Sequence, residues 1–236
     1  MSNTDRELDG SVLPTGEEKA RQVRQMFDDI APRYDLVNRV MTFRLDTRWR
    51  RRAVLDLQLP PGSTVLDLAC GTGDLCDDLR AGGHVPIGMD FSFGMLSNAR
   101  TSEPLAQADA LGLPVPDGGV DGVICGFALR NFTDLSAFFA ECARVIRPRG
   151  RVALLDAAEP ENRVLRFGHG IYFGTVVPRI GATLSKASAY RYLPKSLAYL
   201  PEGPELTAML RDAGFPDAER RLLFGGAAQL LTGTRS

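Results

Sequence analysis

The stretch LDLACGTGDL, residues 66–75, passes from apolar residues through two glycines, Gly71 and Gly73, to an acid, Asp74. Upstream, Ser63 to Leu68 is a short apolar run with β-branched members, and downstream Leu75 to Leu79 suits the start of a helix. The spacing predicts a strand, a tight turn and a helix. Glycine at such a turn permits positive φ and lets a ligand approach where a Cβ would collide.

Three ligand classes use that geometry. A phosphate loop needs a Gly-Lys-Ser/Thr ending, and no lysine occurs between Lys19 and Lys186. A dinucleotide loop needs G-x-G-x-x-G, but Cys76 stands in the third glycine's place, and Asp74 would repel a diphosphate at the helix N-terminus. S-adenosylmethionine has an adenosine without phosphate, and its ammonium and sulfonium can face Asp67 or Asp74. The third class fits the residues. A structural turn with incidental glycines is the alternative, and the rest of the chain decides between them.

The chain has 236 residues with 44% hydrophobic content, enough for one α/β domain with a sizeable core. A formal net charge of -1 argues against general attraction to nucleic acid. Cys70, Cys76, Cys125 and Cys142 form no C-x-x-C pair, so buried free thiols are expected, with neither a metal site nor a disulfide. The opening MSNTDRELDG lacks the apolar core of a signal peptide, and the apolar run from Gly170 to Leu184 is broken by Pro178 and Arg179. A cytoplasmic protein is expected, peripheral to the inner face of the membrane if its substrate requires it.

Residues 1–16 read as a flexible tail, and residues 17–236 as a single domain. Within it, 17–59 form an N-terminal helical cap, with one amphipathic helix ending at Pro32 and a second carrying Leu45, Trp49, Ala53 and Leu57 on one stripe. Arg48, Arg50, Arg51 and Arg52 fall largely off that stripe and read as a solvated basic face. Residues 60–158 alternate strand and helix: strands at Thr64–Leu68, Val85–Asp90, Leu105–Ala108, Val120–Gly126 and Val152–Asp156, helices at Asp74–Arg80, Met95–Arg100 and Leu135–Arg147. Such alternation predicts a mostly parallel sheet with helices on both faces. Residues 159–201 break the rhythm and read as a substrate lid. Residues 202–236 add a helix, Glu205–Ala213, and a strand pair, Glu219–Phe224 and Ala227–Leu231.

Open sheets bind ligands at the carboxyl ends of their strands. Asp67 ends the first strand; Asp90 ends the second, where one carboxylate can accept from both ribose hydroxyls beside an apolar adenine slot of Phe91 and Met95. Asp109 follows the third and suits the adenine amino group. Any one of these acids alone reads as a helix N-cap. Three in order behind D-x-x-x-G-x-G read as a cofactor site.

With its flanking motifs the sequence resembles the ubiquinone/menaquinone biosynthesis C-methyltransferase family, within the class I S-adenosylmethionine-dependent methyltransferases. The resemblance rests on MFDDIAPRYDLVNRVMTFRLDTRW (26–49), VLDLACGTGDL, GMDFSFGML (88–96), ADALGLPVPDGGVDGV (108–123), FALRNFTD (127–134), RVIRPRGRVALLD (144–156) and SAYRYLPKSLAYLPEGPELTAMLRDAGF (188–215). It covers nearly the whole chain and implies a Rossmann-like fold with a seven-stranded sheet and a C-terminal antiparallel strand pair. It also implies cofactor contacts at Thr72, Asp90, Asp109, Ala110 and Gly126 and a substrate region near Tyr34, Arg130 and Asn131; with the loop residues Asp67, Ala69, Gly71 and Gly73, and with Tyr34, Phe91 and Met95, these make up the expected cofactor site. The chain departs from the family pattern at Val37, Thr42 and Asp46 (for Met, Ser and His), at Arg149, at Asp156 and Ala158 (for Glu and Ser), at Gly126 (for Ser) and at Leu231 (for His).

Family members methylate a ring carbon of a reduced, prenylated quinone, most plainly demethylmenaquinol to menaquinol. A hydroquinone hydroxyl has a phenol-like pKa of about 10, so a base or cation near it makes the ring carbon nucleophilic. Catalytic candidates are Arg130, always charged and suited to a developing oxyanion, Asn131, and Asp46 as a base. Their plainer readings are a salt bridge from Arg130 to Asp134, a helix cap at Asn131, and an exposed helix-start carboxylate at Asp46. Tyr34, His169, Tyr190 and Tyr192 are substrate-binding candidates, while His84 reads as a solvated strand end. A tailed quinol resides in the bilayer, so a peripheral membrane contact is expected, with Arg48 to Arg52 beside Trp49 as its docking cluster. A homodimer stays open. Two alternatives accompany this reading: a small phenolic or polyketide acceptor, and a cofactor-binding protein that no longer transfers methyl.

Overall fold

A computed structural model describes residues 16–172, 175, 196 and 199–236. Seven strands form one sheet: β1 (Thr64–Leu68), β2 (Val85–Asp90), β3 (Leu105–Gln107), β4 (Val120–Gly126), β5 (Ile146–Ala157), β6 (Glu219–Leu223) and β7 (Ala228–Thr234). Their order is β3-β2-β1-β4-β5-β7-β6; the first five run parallel, and β7 runs antiparallel to both β5 and β6. Leaving β1, the chain builds outward to β2 and β3, then returns to add β4 on β1's other side. A crevice therefore opens beyond the carboxyl ends of β1 and β4.

Parallel strands buried on both faces read as near-continuous apolar runs, and alternate residues of β1 serve different layers. Leu66 and Leu68 join one core with Phe138, Phe139 and Phe215, beneath α6 (Leu135–Val145) and α8 (Gly203–Asp212). Val65 joins the other with Leu75, Leu79, Ala53 and Leu57, beneath α4 (Asp74–Ala81) and α3 (Leu45–Asp56). Asp67 points into this second layer. A third cluster (Met26, Ile30, Val37, Met41 and Met95) holds the cap, made of α1 (Gly16–Ile30) and α2 (Tyr34–Met41), against α5 (Phe93–Ser97). The remaining described helix is α7 (Arg163–Ile171).

All seven expected strands form, with local differences. Helix α2 was not anticipated, because Pro32 reads as a stop; it sits instead in the first turn of a 3-10 segment, Ala31–Arg33, where its missing N–H costs nothing. Helix α6 ends at Val145 and β5 starts at once, because Pro148 disfavours helical backbone before it. Helix α5 starts at Phe93, where the Ser92 hydroxyl accepts from Met95 N, and ends at Ser97, short of Arg100. His84 is buried rather than solvated.

Gly88 on β2 is a packing requirement. A Cβ there would lie 2.4 Å from Leu105 Cδ2, 2.9 Å from Cys70 Sγ and 3.0 Å from Cys76 Sγ. Gly88→Ala is expected to cost about 1–3 kcal/mol through overpacking beneath the glycine loop; a urea midpoint equal to wild type would refute this.

Candidate active site

Two cavities meet over the ends of β1 and β4. The first lies between the ends of β1, β2 and β4, under a roof of Ala20, Val23 and Phe27 from α1. It gathers Tyr34, Ala69, Gly71, Asp90, Phe91, Met95, Asp109, Ala110, Gly126 and Asn131. The second, of about 410 Å³, is walled by α2, α3, α7 and the Phe224 turn. It gathers Asp46, Asp67, Thr72 and Arg130 and shares Tyr34, Ala69, Gly71, Gly126, Phe127 and Asn131 with the first. Tyr34 stands at the junction: its Cε1 would lie 3.9 Å from a Cβ on Gly71, and its ring meets Phe27 edge-on at 5.9 Å. Burial pushes its pKa up, against a hydrogen bond with Asn38.

Strained backbone shapes the floor. Ala69 and Phe127, the residues directly after β1 and β4, hold φ of 55° and 62°, a left-handed conformation that costs a side-chain-bearing residue about 1–2 kcal/mol. Such strain concentrates at ligand sites.

The first cavity fits an adenosine. Asp90 Oδ2 accepts from Gly71 N at 2.8 Å and Oδ1 from Ser92 N at 2.7 Å, leaving each oxygen lone-pair capacity for a pair of hydroxyls. Burial holds its pKa above the ordinary carboxylate value despite these donors. Phe91 and Met95 flank it, and the Arg24 guanidinium lies 4.9 Å from the Phe91 ring centroid. Asp109 is exposed at the edge and accepts from Leu111 N at 2.9 Å. The roof is latched at two points. Asp28 Oδ1 accepts from Ser92 Oγ at 2.5 Å and Gly94 N at 2.8 Å. Lys19 donates through Nζ to Phe132 O at 2.7 Å and lies 3.8 Å over the Tyr199 ring; burial lowers its pKa to about 8.

Asp67 supplies the direct test of a cationic ligand. The Cys76 thiol donates to its Oδ2 at 3.3 Å, while Oδ1 is buried with no partner among the described residues. Burial raises the Asp67 pKa to about 7. An unpartnered buried carboxylate oxygen on the cavity wall suits an ammonium, and the residues present fit S-adenosylmethionine.

Several expected contacts are made otherwise. Asp74, expected to face the ligand, is held by Arg39 at 3.2 Å and Arg50 at 3.0 Å. Arg50 is no solvated residue: it is largely buried and also binds Asp46 at 2.6 Å and Asp78 at 3.1 Å. Arg51 and Arg52 pair with Asp78 and Asp56. Asp46 is buried, not exposed, and accepts from Thr42 Oγ1 at 2.7 Å on its free side. Thr72 Oγ1 donates to Asp35 Oδ1 at 2.6 Å, tying the loop to α2. Gly73 lines neither cavity; its φ of 91° caps α4, and a Cβ there would strike Thr101. Arg130 pairs with Asp156, not Asp134, and its N–H donates to Asp156 Oδ2 at 3.2 Å; Asp134 caps α6 instead. Tyr190, Tyr192 and the His169 side chain lie outside the described residues.

The sequence reading missed Asn38, Trp49, Phe127 and Phe224 in the second cavity and Lys19 and Arg24 around the first. For Asp156 the sequence carried one signal, its place as the acid near the end of β5, where the family pattern has Glu.

Residues 15–235 match the ubiE/COQ5 methyltransferase family. The chain is similar to a demethylmenaquinone methyltransferase of Thermus thermophilus, 43% identical over 86% of this chain and 97% of that protein. A demethylmenaquinone methyltransferase of Roseiflexus castenholzii is 38% identical over 97% and 99%. Among solved structures, a SAM-dependent methyltransferase of Thermotoga maritima, a possible histamine N-methyltransferase, covers 90% of this chain and 99% of its own, with a TM-score of 0.60 at 17% identity; it shares the fold.

Asp67 gives the site a pH signature. Without ligand, the folded state keeps the Asp67 proton up to about pH 7, while an unfolded aspartate loses it near 4. Between those values the folded state binds more protons, so stability falls as pH rises, by up to about 1.4 kcal/mol per pH unit from this group. Asp67→Asn is expected to remove that part of the slope between pH 5 and 7; parallel denaturation profiles for variant and wild type would overturn the assignment.

Proposed function

The chain belongs to the ubiE/COQ5 methyltransferase family, and on that premise we propose that it methylates a ring carbon of a reduced, prenylated quinone, demethylmenaquinol being the substrate, with S-adenosylmethionine as donor. The observation that carries this is the pair of joined cavities. One has carboxylates suited to an adenosine; the other is larger and mostly apolar and carries Asp67 for the ammonium, and they meet at Tyr34.

When bound, S-adenosylmethionine supplies an electrophilic methyl. Asp90 would accept from the ribose hydroxyls, Phe91 and Met95 would line the adenine slot, and Asp109 with the Ala110 backbone would meet the adenine edge. Asp67 would hold the ammonium, and Ala69, Gly71, Thr72 and Gly126 would shape the passage toward the acceptor. Tyr34 separates donor from acceptor and excludes water, which strengthens the electrostatics of the exchange. Asn131 orients the quinol hydroxyl. Arg130, neutralised by Asp156, contributes a fixed dipole beside the developing oxyanion rather than a free cation. Asp156, which stands where the family pattern has Glu, makes this pairing here. Asp46 takes the phenolic proton by way of Thr42 Oγ1. His169, Tyr190 and Tyr192 remain assigned to the substrate side, and the prenyl tail places the reaction at a membrane surface.

The test is mass spectrometry of purified protein with S-adenosylmethionine and a chemically reduced, short-tailed demethylmenaquinone, the oxidised quinone serving as control. A product one methylene heavier is expected only from the reduced form. Asp90→Ala is expected to weaken donor binding at least about tenfold, as loss of charge-assisted hydrogen bonds does, with an unchanged circular dichroism spectrum. Donor binding without product would sink the quinol reading and direct the search to small phenols.

A further inference from the structure

We propose that the protein docks on an anionic lipid bilayer through the apolar rim of the second cavity, a face formed by Phe43, α7 and the Phe224 turn; this deepens, and rests on, the prenylated-quinol reading. Phe43, Val164, Phe167 and Phe224 are 73%, 79%, 72% and 67% exposed, and Leu165 and Ile171 are exposed with them. The patch is continuous. The Phe43 ring lies 5.8 Å from Tyr172, whose hydroxyl donates to Met41 O at 2.7 Å. A Cβ on Gly225 would lie 3.1 Å from Leu165 Cδ1, so α7 runs beside the Phe224 turn, and Phe224 lies 6.3 Å from Trp49. Phe43, Tyr172 and Phe224 also line the second cavity, so the patch borders it.

Two of these rings are held out by unfavourable backbone. Phe43, Arg44 and Phe224 have φ of 51°, 62° and 47°, the left-handed region that bulky side chains avoid. Each ring has one aromatic neighbour, Tyr172 for Phe43 and Trp49 for Phe224, yet most of its surface still faces solvent. A continuous exposed apolar patch of this kind marks an interaction surface.

Charge identifies the occupant. Arg44, Arg48 and Arg163 are exposed around the patch, and among the described residues Arg166 donates to the Pro160 and Glu161 carbonyls and to no carboxylate. The nearby Glu161 carboxylate faces Arg220. The rest of the arginine run expected to dock is tied to Asp46, Asp56, Asp74 and Asp78, which moves the basic surface to this rim. A second copy seated here by two-fold symmetry would bring like patch to like, arginine against arginine, and would close the cavity mouth. Anionic headgroups satisfy the arginines, acyl chains take up the rings, and the cavity opens toward the tail's source.

The experiment is co-sedimentation of the full chain with phosphatidylglycerol-containing vesicles and with phosphatidylcholine vesicles. Selective, salt-sensitive binding to the former is expected. Val164→Ser with Phe167→Ser, and separately Arg44→Glu with Arg163→Glu, are expected to weaken it about tenfold or more, with unchanged spectra and unchanged methylation of a tailless quinol. No binding by wild type, variants that bind like wild type, or a concentration-dependent dimer abolished by the same substitutions would each overturn the proposal. Vesicle binding needs no turnover. A protein that binds vesicles but methylates only small phenols refutes the quinol reading alone, and one that methylates a short-tailed quinol without binding vesicles refutes the docking alone.

Discussion

Between β1 and β4 the sheet reverses the direction in which strands are added, so the crossover connections lead away from the gap beyond their ends. Everything chemical in the molecule is arranged around that gap. The strand ends deliver Asp67, Asp90 and Gly126 to it, and the left-handed residues Ala69 and Phe127 turn the chain sharply away so that it stays open. The cap then closes it from above. Helix α3 is anchored on the sheet through Ala53 and Leu57, whereas α1 and α2 pack Met26, Ile30, Val37 and Met41 against Met95 of α5.

Charge fastens the cap. Arg50 collects Asp46, Asp74 and Asp78, joining α3 to the first turns of α4, while Arg39 reaches Asp74 from α2. A guanidinium can serve several carboxylates at once because its donors point in fixed, divergent directions. These bonds, with Thr72 on Asp35, tie the glycine loop to two helices. The loop is thus held by its surroundings before any ligand enters, which spares part of the ordering cost of binding.

Much of this was legible in the sequence, and the limits have physical causes. Strand positions followed from apolar runs between turn residues, and the strand-end acids from their order along the chain. The residues lining the first cavity were largely nameable because a short loop and its strands bring them together locally. The second cavity is made by long-range packing: Trp49, Phe127 and Phe224 converge from three distant segments with no shared motif. Arginines were misjudged for a related reason. A basic run on a helix reads as solvated until the partner carboxylates, twenty or more residues away, are placed in space; Arg50 and Asp74 are such a pair. Pro32 misled because its effect depends on whether the chain stops or begins a turn there.

Lys19 adds a distinction of residue chemistry. The chain carries three lysines, at 19, 186 and 195, among many arginines. An arginine keeps its charge at any physiological pH, whereas an amine can give up its proton when buried and still donate a hydrogen bond. Lys19, with a pKa lowered to about 8, is the group that pins α1 to the Phe132 carbonyl beneath Tyr199. The roof over the adenosine cavity is therefore fastened by a bolt whose charge is adjustable, set where a permanent cation would have to remain desolvated.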